Sequence, residues 1–332
     1  MDQEITEYMD SEKYQRIDNR LDYRNGSYCR NLDTELGPID SLKVPRSRLG
    51  LFKTGVFEFY QRRQPSVNEA ICNVFLAGVS TRDVSMAIKP LLETTFSASC
   101  VSRVTKSLDS KVKEFHKKDI LDEYQFLFLD GITLSVKTSL KAVKKLVLVA
   151  YGITLFGKKE LISFRIASSE SQASWEAFLN DLYKRGLKGK NLKLIITDGC
   201  KGLHAAIDTV YAYTKRQHCW VHKLRNVSKY LRRIDQKEVL SEAKRIYKAD
   251  TKREAVRLFK LWKKHWDKNY PKAVKCIERD LDELLAFLEI PITREYRYLI
   301  RRRIRTTNVI ERAFREVRRR TRPMSCFTNT DS

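Results

Sequence analysis

Three acidic residues far apart in the chain, Asp130, Asp198 and Glu311, stand where a carboxylate could do chemistry. Asp130 follows the apolar run YQFLFL and Asp198 follows LKLIIT; each precedes a glycine. Continuous apolar runs of this kind read as strands buried on both faces, here expected to end at Asp130-Gly131 and Asp198-Gly199. Strand ends in open α/β sheets face the crevice where ligands bind. If the two strands are neighbours, their carboxylates repel unless a cation sits between them or one takes a proton. One Asp-Gly after a strand is ordinarily a turn. Two of them in one domain favour a metal site, and Mg2+, a hard ion with oxygen ligands, is the expected guest, with Mn2+ able to substitute.

Glu311 supplies a third ligand. Residues 301–322 hold ten arginines and two acids, Glu311 and Glu316. TTNVIERAFREV reads as a helix capped by Thr307 or Asn308, with Ile310, Ala313, Phe314 and Val317 facing inward and Glu311 beside that stripe. Glu311 also lies three residues after Asn308 and four before Arg315, so a capping or surface ion-pair role of about 0.5–1 kcal/mol competes. With Asp130 and Asp198 lacking a third ligand, the metal-binding reading is preferred. The expected chemistry is in-line displacement at phosphorus. Two Mg2+ ions about 4 Å apart would share Asp130, with Asp198 and Glu311 completing the set, to activate a water or 3′-hydroxyl and stabilise the leaving oxygen. Arg305, Arg312, Arg315, Arg318 and Arg319 would hold the phosphate backbone.

The elements that must position these groups follow from periodicity. The chain has 332 residues, 65 Lys+Arg against 41 Asp+Glu, and a formal charge of +24. An excess of that size points to nucleic acid as partner. Seven scattered cysteines without CxxC spacing argue for reduced thiols, not a disulfide frame. No run of about 18 apolar residues and no apolar leader after Met1 suggests a membrane span or export, so a cytoplasmic protein is expected.

Residues 1–62 read as a polar N-terminal arm. Residues 63–118 read as three short helices, one ending near Gly78, one capped by Ser80 with Asp83 in a capping box, one starting near Ser97 or Ser99. Such a trio fits a helix-turn-helix-like DNA-binding domain presenting Ser102, Arg103 and Lys106. Residues 119–227 read strand, strand, strand, helix, strand, helix, the opening of a ribonuclease-H-like core. Residues 228–298 read as an all-helical insertion starting one helix at Pro271 and stopping at Pro291. Residues 299–332 return to the core with the Glu311 helix and a short tail. Trp175 reads as core, as do Trp262 and Trp266, with base stacking the alternative for one of the latter two.

Several segments resemble, in order and spacing, the Mutator-type transposases of bacterial insertion sequences, a family of DDE transposases. They are VPRSRLGLF, AGVSTRDVS with VSRVTKSL, FLFLDGI, WEAFLNDLYKRGLKG, TDGCKGLHAAI, QHCWVHKLRNV and RTTNVIERAFREVRRRTR. The resemblance places the family's Asp-Asp-Glu triad on Asp130, Asp198 and Glu311, and its cysteine-x-x-histidine motif on Cys219 and His222. It implies a ribonuclease-H-like core with a helical insertion, and cleavage and strand transfer at the ends of a mobile element. It further implies double-stranded element ends and target DNA as partners, a homodimer or higher synaptic assembly, and the bacterial nucleoid as location. With His116, His204 and His265 isolated in sequence, His222 is expected beside the scissile phosphate or as a hydrogen-bonding residue, not as a zinc ligand. Family members usually run further than this chain, so two alternatives stand: a truncated, non-catalytic product that binds element ends and inhibits transposition, and a nuclease that cuts without joining.

Overall fold

The computed structural model describes every residue except 19, 21, 59, 138–140, 293–296, 323–325 and 328–332. The chain divides into two compact units, 1–112 with 320–324, and 113–319 with 325–332. Among the described residues no helix is long and apolar enough to cross a membrane.

The first unit opens with α1 (Asp2–Met9) and an antiparallel hairpin of β1 (Arg24–Thr34) and β2 (Gly37–Ser47). A polar arm was expected here. The hairpin escapes sequence reading because most of its residues are exposed and two irregularities in register break any alternation of apolar and polar positions. Then come α2 (Pro65–Leu76), α3 (Val84–Leu92) and α4 (Ala98–Thr105). Val67, Ile71, Val84, Ile88, Leu92 and Val101 share a small core. Pro65 sits in the first turn of α2, where its missing N–H costs nothing. Ser97 caps α4 by accepting from the Cys100 N–H at 3.2 Å. Ser80 does not cap α3; its hydroxyl donates to Asp83 at 2.6 Å, and the helix begins after Asp83. The division between the units falls within α5 (Ser107–Lys117).

In the second unit β3 (Tyr124–Lys137), β4 (Ala142–Thr154), β5 (Lys159–Ala167), α6 (Gln172–Lys184), β6 (Leu194–Thr197), α7 (Lys201–Val210) and β7 (Lys215–His218) form a mixed α/β layer. The sheet order is β5-β4-β3-β6-β7. β3, β4 and β5 are antiparallel, while β6 and β7 run parallel to β3. β3 does not stop at Asp130. It continues to Lys137, with Asp130 opposite Val149 and Gly131 opposite Leu148. The apolar run ends where β3 loses its parallel neighbour on one side, since β6 accompanies it only from Phe126 to Phe128; strand pairing with β4 carries on through polar sequence. β7 was not legible at all. Its four residues, KRQH, include no apolar one, and Gln217 and His218 are nonetheless buried.

Both sheet faces are covered, as the unbroken apolar runs require. Leu127, Leu129, Ile195 and Leu148 meet Trp175, Phe178, Leu179 and Leu182 of α6 and Leu203, Ala206 and Ile207 of α7. Phe126, Phe128, Leu194 and Ile196 face the other way into a larger core. That core takes in α8 (Trp220–Ser228), α9 (Gln236–Ile246), α10 (Lys252–Trp266), α11 (Pro271–Glu278), α12 (Leu281–Leu285), a 3-10 turn (Ala286–Leu288), α13 (Arg297–Ile304) and α14 (Asn308–Thr321). Between 228 and 298 only helical elements occur among the described residues, as expected. Trp262 and Trp266 are core: each is buried, with its indole N–H donating to Val239 O at 3.1 Å and to Glu242 at 2.7 Å. Neither is displayed for base stacking.

The helical stretch docks on β7 and α8 through polar groups. Gln217 donates to Leu284 O at 3.0 Å and accepts from the Phe287 N–H at 2.9 Å, and Trp220 donates to Leu284 O at 2.7 Å. Lys223, 1 % exposed, places its ammonium on Asp280. A buried ammonium without a counter-charge is far more costly than no charge at all. Asp280→Ala should therefore cost about 3 kcal/mol in urea unfolding, and adding Lys223→Met should restore more than half of it. Additive losses in the two variants would contradict this docking role.

Candidate active site

Asp130 and Asp198 meet because of strand register. Phe128 pairs with Ile196 in the parallel β3–β6 ladder, and each acid lies two residues beyond its paired residue. Both therefore lie level with the C-terminal end of β6, on the side of the larger core, although Asp130 itself sits midway along β3. Asp130 Oδ1 accepts from the Gly131 N–H at 2.7 Å, and Asp198 Oδ1 from the Cys200 N–H at 3.1 Å, just ahead of α7. The Asp198-Gly199 turn is thus a turn as well as a carboxylate site. Gly199 has φ +96°, and a Cβ there would fall inside the His218 imidazole. Only glycine fits.

Glu311 arrives through a chain of contacts that starts at β6. The Cys219 N–H donates to Thr197 O at 2.8 Å. Cys219 Sγ, fully buried, accepts from the N–H and the hydroxyl of Thr307, both at 3.2 Å. Thr307 O accepts from the Glu311 N–H at 3.0 Å, opening α14. Thr307 is thus the residue ahead of the helix, and Ile310 and Phe314 are its buried stripe, whereas Val317 is exposed. Glu311 Oε1 lies 3.4 Å from His222 Nε2 and 3.4 Å from Arg225 Nη1. The expected surface partner, Arg315, is not among its ion pairs.

The electrostatics register the gathering of acids. Burial, then the charge of Asp198, with Glu311 adding, pushes the Asp130 carboxyl up to about 7, although the Gly131 N–H and His222 oppose the shift. Burial works against ionising the Cys219 thiol, but the hydrogen bonds and charge of His222 and Thr307 outweigh it and hold the thiol below its usual range. Hydrogen bonding to Cys219 in turn raises His222, against burial and with help from Asp130 and Asp198. Burial and the neighbouring Lys223 ammonium hold His218 down to about 4.

The expected residues fare differently. Asp130, Asp198, Glu311, Cys219 and His222 come together. Among the described residues, no group of three or more His, Cys, Asp or Glu side chains stands in metal-ligating geometry; like charges repel, and Glu311 is drawn toward His222 and Arg225. His204 is not isolated, as its sequence neighbours suggested: its Nε2 lies 3.0 Å from the Thr197 hydroxyl and its ring 5.6 Å from that of His218. The arginines divide. Arg312, Arg315, Arg318 and Arg319 are exposed. Arg305 instead turns inward over the Tyr247 ring, 4.6 Å from its centroid. Arg103 and Lys106 are exposed on the first unit. Sequence reading missed Lys159 of β5 and Arg303, which gather with Arg312. Burial and the charges of Arg303 and Arg312 lower the lysine, and no local motif announces a cluster drawn from three elements.

Comparison with known proteins adds an independent line. The sequence profile described as "Transposase, Mutator family" matches residues 1–332. The chain is 33% identical over 332 residues to the transposase for insertion sequence element ISRM5 of Rhizobium meliloti (strain 1021), covering 100% of this chain and 81% of the relative. It is 31% identical over 330 residues to that of IS905 from Lactococcus lactis subsp. lactis, covering 99% and 82%. With the transposase for IS256 in transposon Tn4001 of Staphylococcus aureus it shares 33% identity over 337 residues, covering 100% and 83%. A profile spanning the whole chain, and relatives that match nearly all of it over 81% to 83% of their own length, agree with the segment-by-segment likeness of the sequence. The chain belongs to the Mutator family of transposases.

Proposed function

We propose that this transposase cuts and joins DNA by metal-assisted phosphoryl transfer at Asp130, Asp198 and Glu311. One observation carries the reading. The β3–β6 register puts two acids level with the C-terminal end of β6, and hydrogen bonds running Thr197–Cys219–Thr307 bring the first turn of α14, with Glu311, to the same place. The mixed sheet order β5-β4-β3-β6-β7, with helices on both faces, supports a ribonuclease-H-like core.

The residues present suit a hard divalent cation. The donors are carboxylate oxygens, and burial, with the charges of Asp198 and Glu311 adding, raises the Asp130 carboxyl, a condition that a cation would oppose. When bound, Mg2+ or Mn2+ would polarise the phosphoryl group and ease deprotonation of the attacking hydroxyl. The protein's own groups do the rest. His222, with Nε2 3.4 Å from Glu311, can steady that carboxylate when protonated and can pass a proton there. Lys159, Arg303 and Arg312, near enough that the arginines lower the lysine, are assigned to hold phosphates of the DNA backbone. The three short helices of the first unit, with Arg103 and Lys106 exposed, are assigned to DNA binding in the helix-turn-helix manner.

Purified chain with labelled element ends and Mg2+ or Mn2+ should give end cleavage and joined products. Asp198→Asn should abolish cleavage while leaving DNA affinity within about 2-fold, since only one contact to metal is changed. Undiminished cleavage in that variant would refute the assignment, and cleavage without any joined product would mark a nuclease instead. DNA affinity should also fall steeply with salt. Removing Lys159 or Arg312 should flatten the log–log slope by about 1 each and weaken all sequences alike. A slope unchanged by either substitution would remove these residues from the DNA path.

A further inference from the structure

We infer that His218 is the residue that positions Asp198, holding its main chain between an imidazole hydrogen bond to the Asp198 carbonyl and a close ring contact at Gly199. The inference rests on the reading of Asp198 as a carboxylate of the reacting centre. Asp280 and Glu283, three residues apart around the start of α12, each face a histidine ring. Asp280 Oδ2 lies 3.6 Å from His218 Nδ1, and Glu283 Oε2 lies 3.7 Å from His204 Nδ1. The opposite nitrogens of the two rings reach consecutive residues at the end of β6. His204 Nε2 is 3.0 Å from the Thr197 hydroxyl, and His218 Nε2 is 3.0 Å from the Asp198 main-chain carbonyl. Two parallel routes thus run from one turn of the helical stretch to the end of β6, hydrogen-bonded only at the β6 end, since each carboxylate stands beyond hydrogen-bond distance of its ring.

The His218 route is the more specific. A carbonyl oxygen only accepts, so His218 Nε2 must carry the proton and donate it. Nδ1 is then the bare nitrogen of the neutral ring, and it is buried with no hydrogen-bond partner among the described residues. The ring lies against Gly199, where any side chain would overlap it, so the Asp198-Gly199 peptide and the imidazole are fitted to each other. Asp280 is itself fixed by Lys223 and by Arg279 Nε at 2.9 Å, which keeps the far end of the route from drifting. The Asp198 carbonyl and the ring, packed on Gly199, therefore form a rigid strut. Its effect on the reaction is geometric: it fixes the peptide from which the Asp198 carboxylate projects, as outer hydrogen bonds fix metal-binding side chains elsewhere.

The test uses the full chain and Mn2+ alone, following free Mn2+ by electron paramagnetic resonance well below each variant's Tm. Wild type should bind Mn2+ and Asp198→Asn should not; failure of the wild type to bind would overturn the reading of the site itself. His218→Phe keeps the ring volume but has no donor, and should bind Mn2+ at least about 10-fold more weakly. His218→Gln, whose amide nitrogen can occupy the Nε2 position, should recover affinity to within about 3-fold. Wild-type affinity in His218→Phe, or a loss that His218→Gln does not repair, would overturn the inference while leaving the site reading intact. Should His218→Phe not fold, histidine 15N shifts of the wild-type chain decide: an Nε2–H ring at His218 supports the strut, and an Nδ1–H ring overturns it.

Discussion

The structure around the reacting centre is organised by repulsion between carboxylates that the fold forces together. Parallel pairing of β3 with β6 fixes Asp130 and Asp198 beside the C-terminal end of β6, and α14 adds Glu311. Water is partly excluded there, so the neighbours' charges are felt strongly and Asp130 rises to about 7. Such an arrangement is unfavourable for the apo protein and persists because the surrounding core over-determines it. Phe128, Ile196, Ile310 and Phe314, all nearly inaccessible to solvent, belong to one core that fixes the elements carrying the three acids, while the Glu311 carboxylate turns toward His222 and Arg225. The arginines and His222 offset part of the repulsion from outside. A divalent cation would offset the rest.

The helical stretch between β7 and α14 is usually thought of as separate from such a centre in a sequence reading, because it carries none of the acids. Its contacts say otherwise. Gln217, Trp220 and Lys223 bind it through main-chain and charged partners, and Asp280 and Glu283 reach back toward β6 through histidines. A buried ion pair of this sort is weak support for stability but is specific about geometry, since a shifted register would leave charges unpaired. The stretch thus braces β7 and α8, the elements beside the strand end that carries Asp198.

What could be read from sequence follows from how local the signal was. Apolar runs announced β3 and β6, and the acid after each run marked the site, because a buried strand has few ways to end. Trp175 and the face of α6 were equally plain from spacing. The end of β3 was misplaced, since pairing with β4 continues through residues that the apolar pattern does not mark. β7 and the N-terminal hairpin were invisible: one is buried by polar residues that find partners 67 and 70 positions away, the other is largely exposed. Arg305 looked like its neighbours in the arginine run, yet Tyr247 holds it inward. Lys159, His204 and His218 gained meaning only when distant elements were brought beside them.

The central claim is that Asp130, Asp198 and Glu311 close around a divalent ion. The most direct measurement is anomalous diffraction at the manganese edge from crystals of the chain grown with Mn2+. A peak within about 2.0–2.6 Å of oxygens from all three side chains, with Glu311 moved off Arg225, is the expected result. Density at other residues only, with Glu311 still on His222 and Arg225, would contradict it.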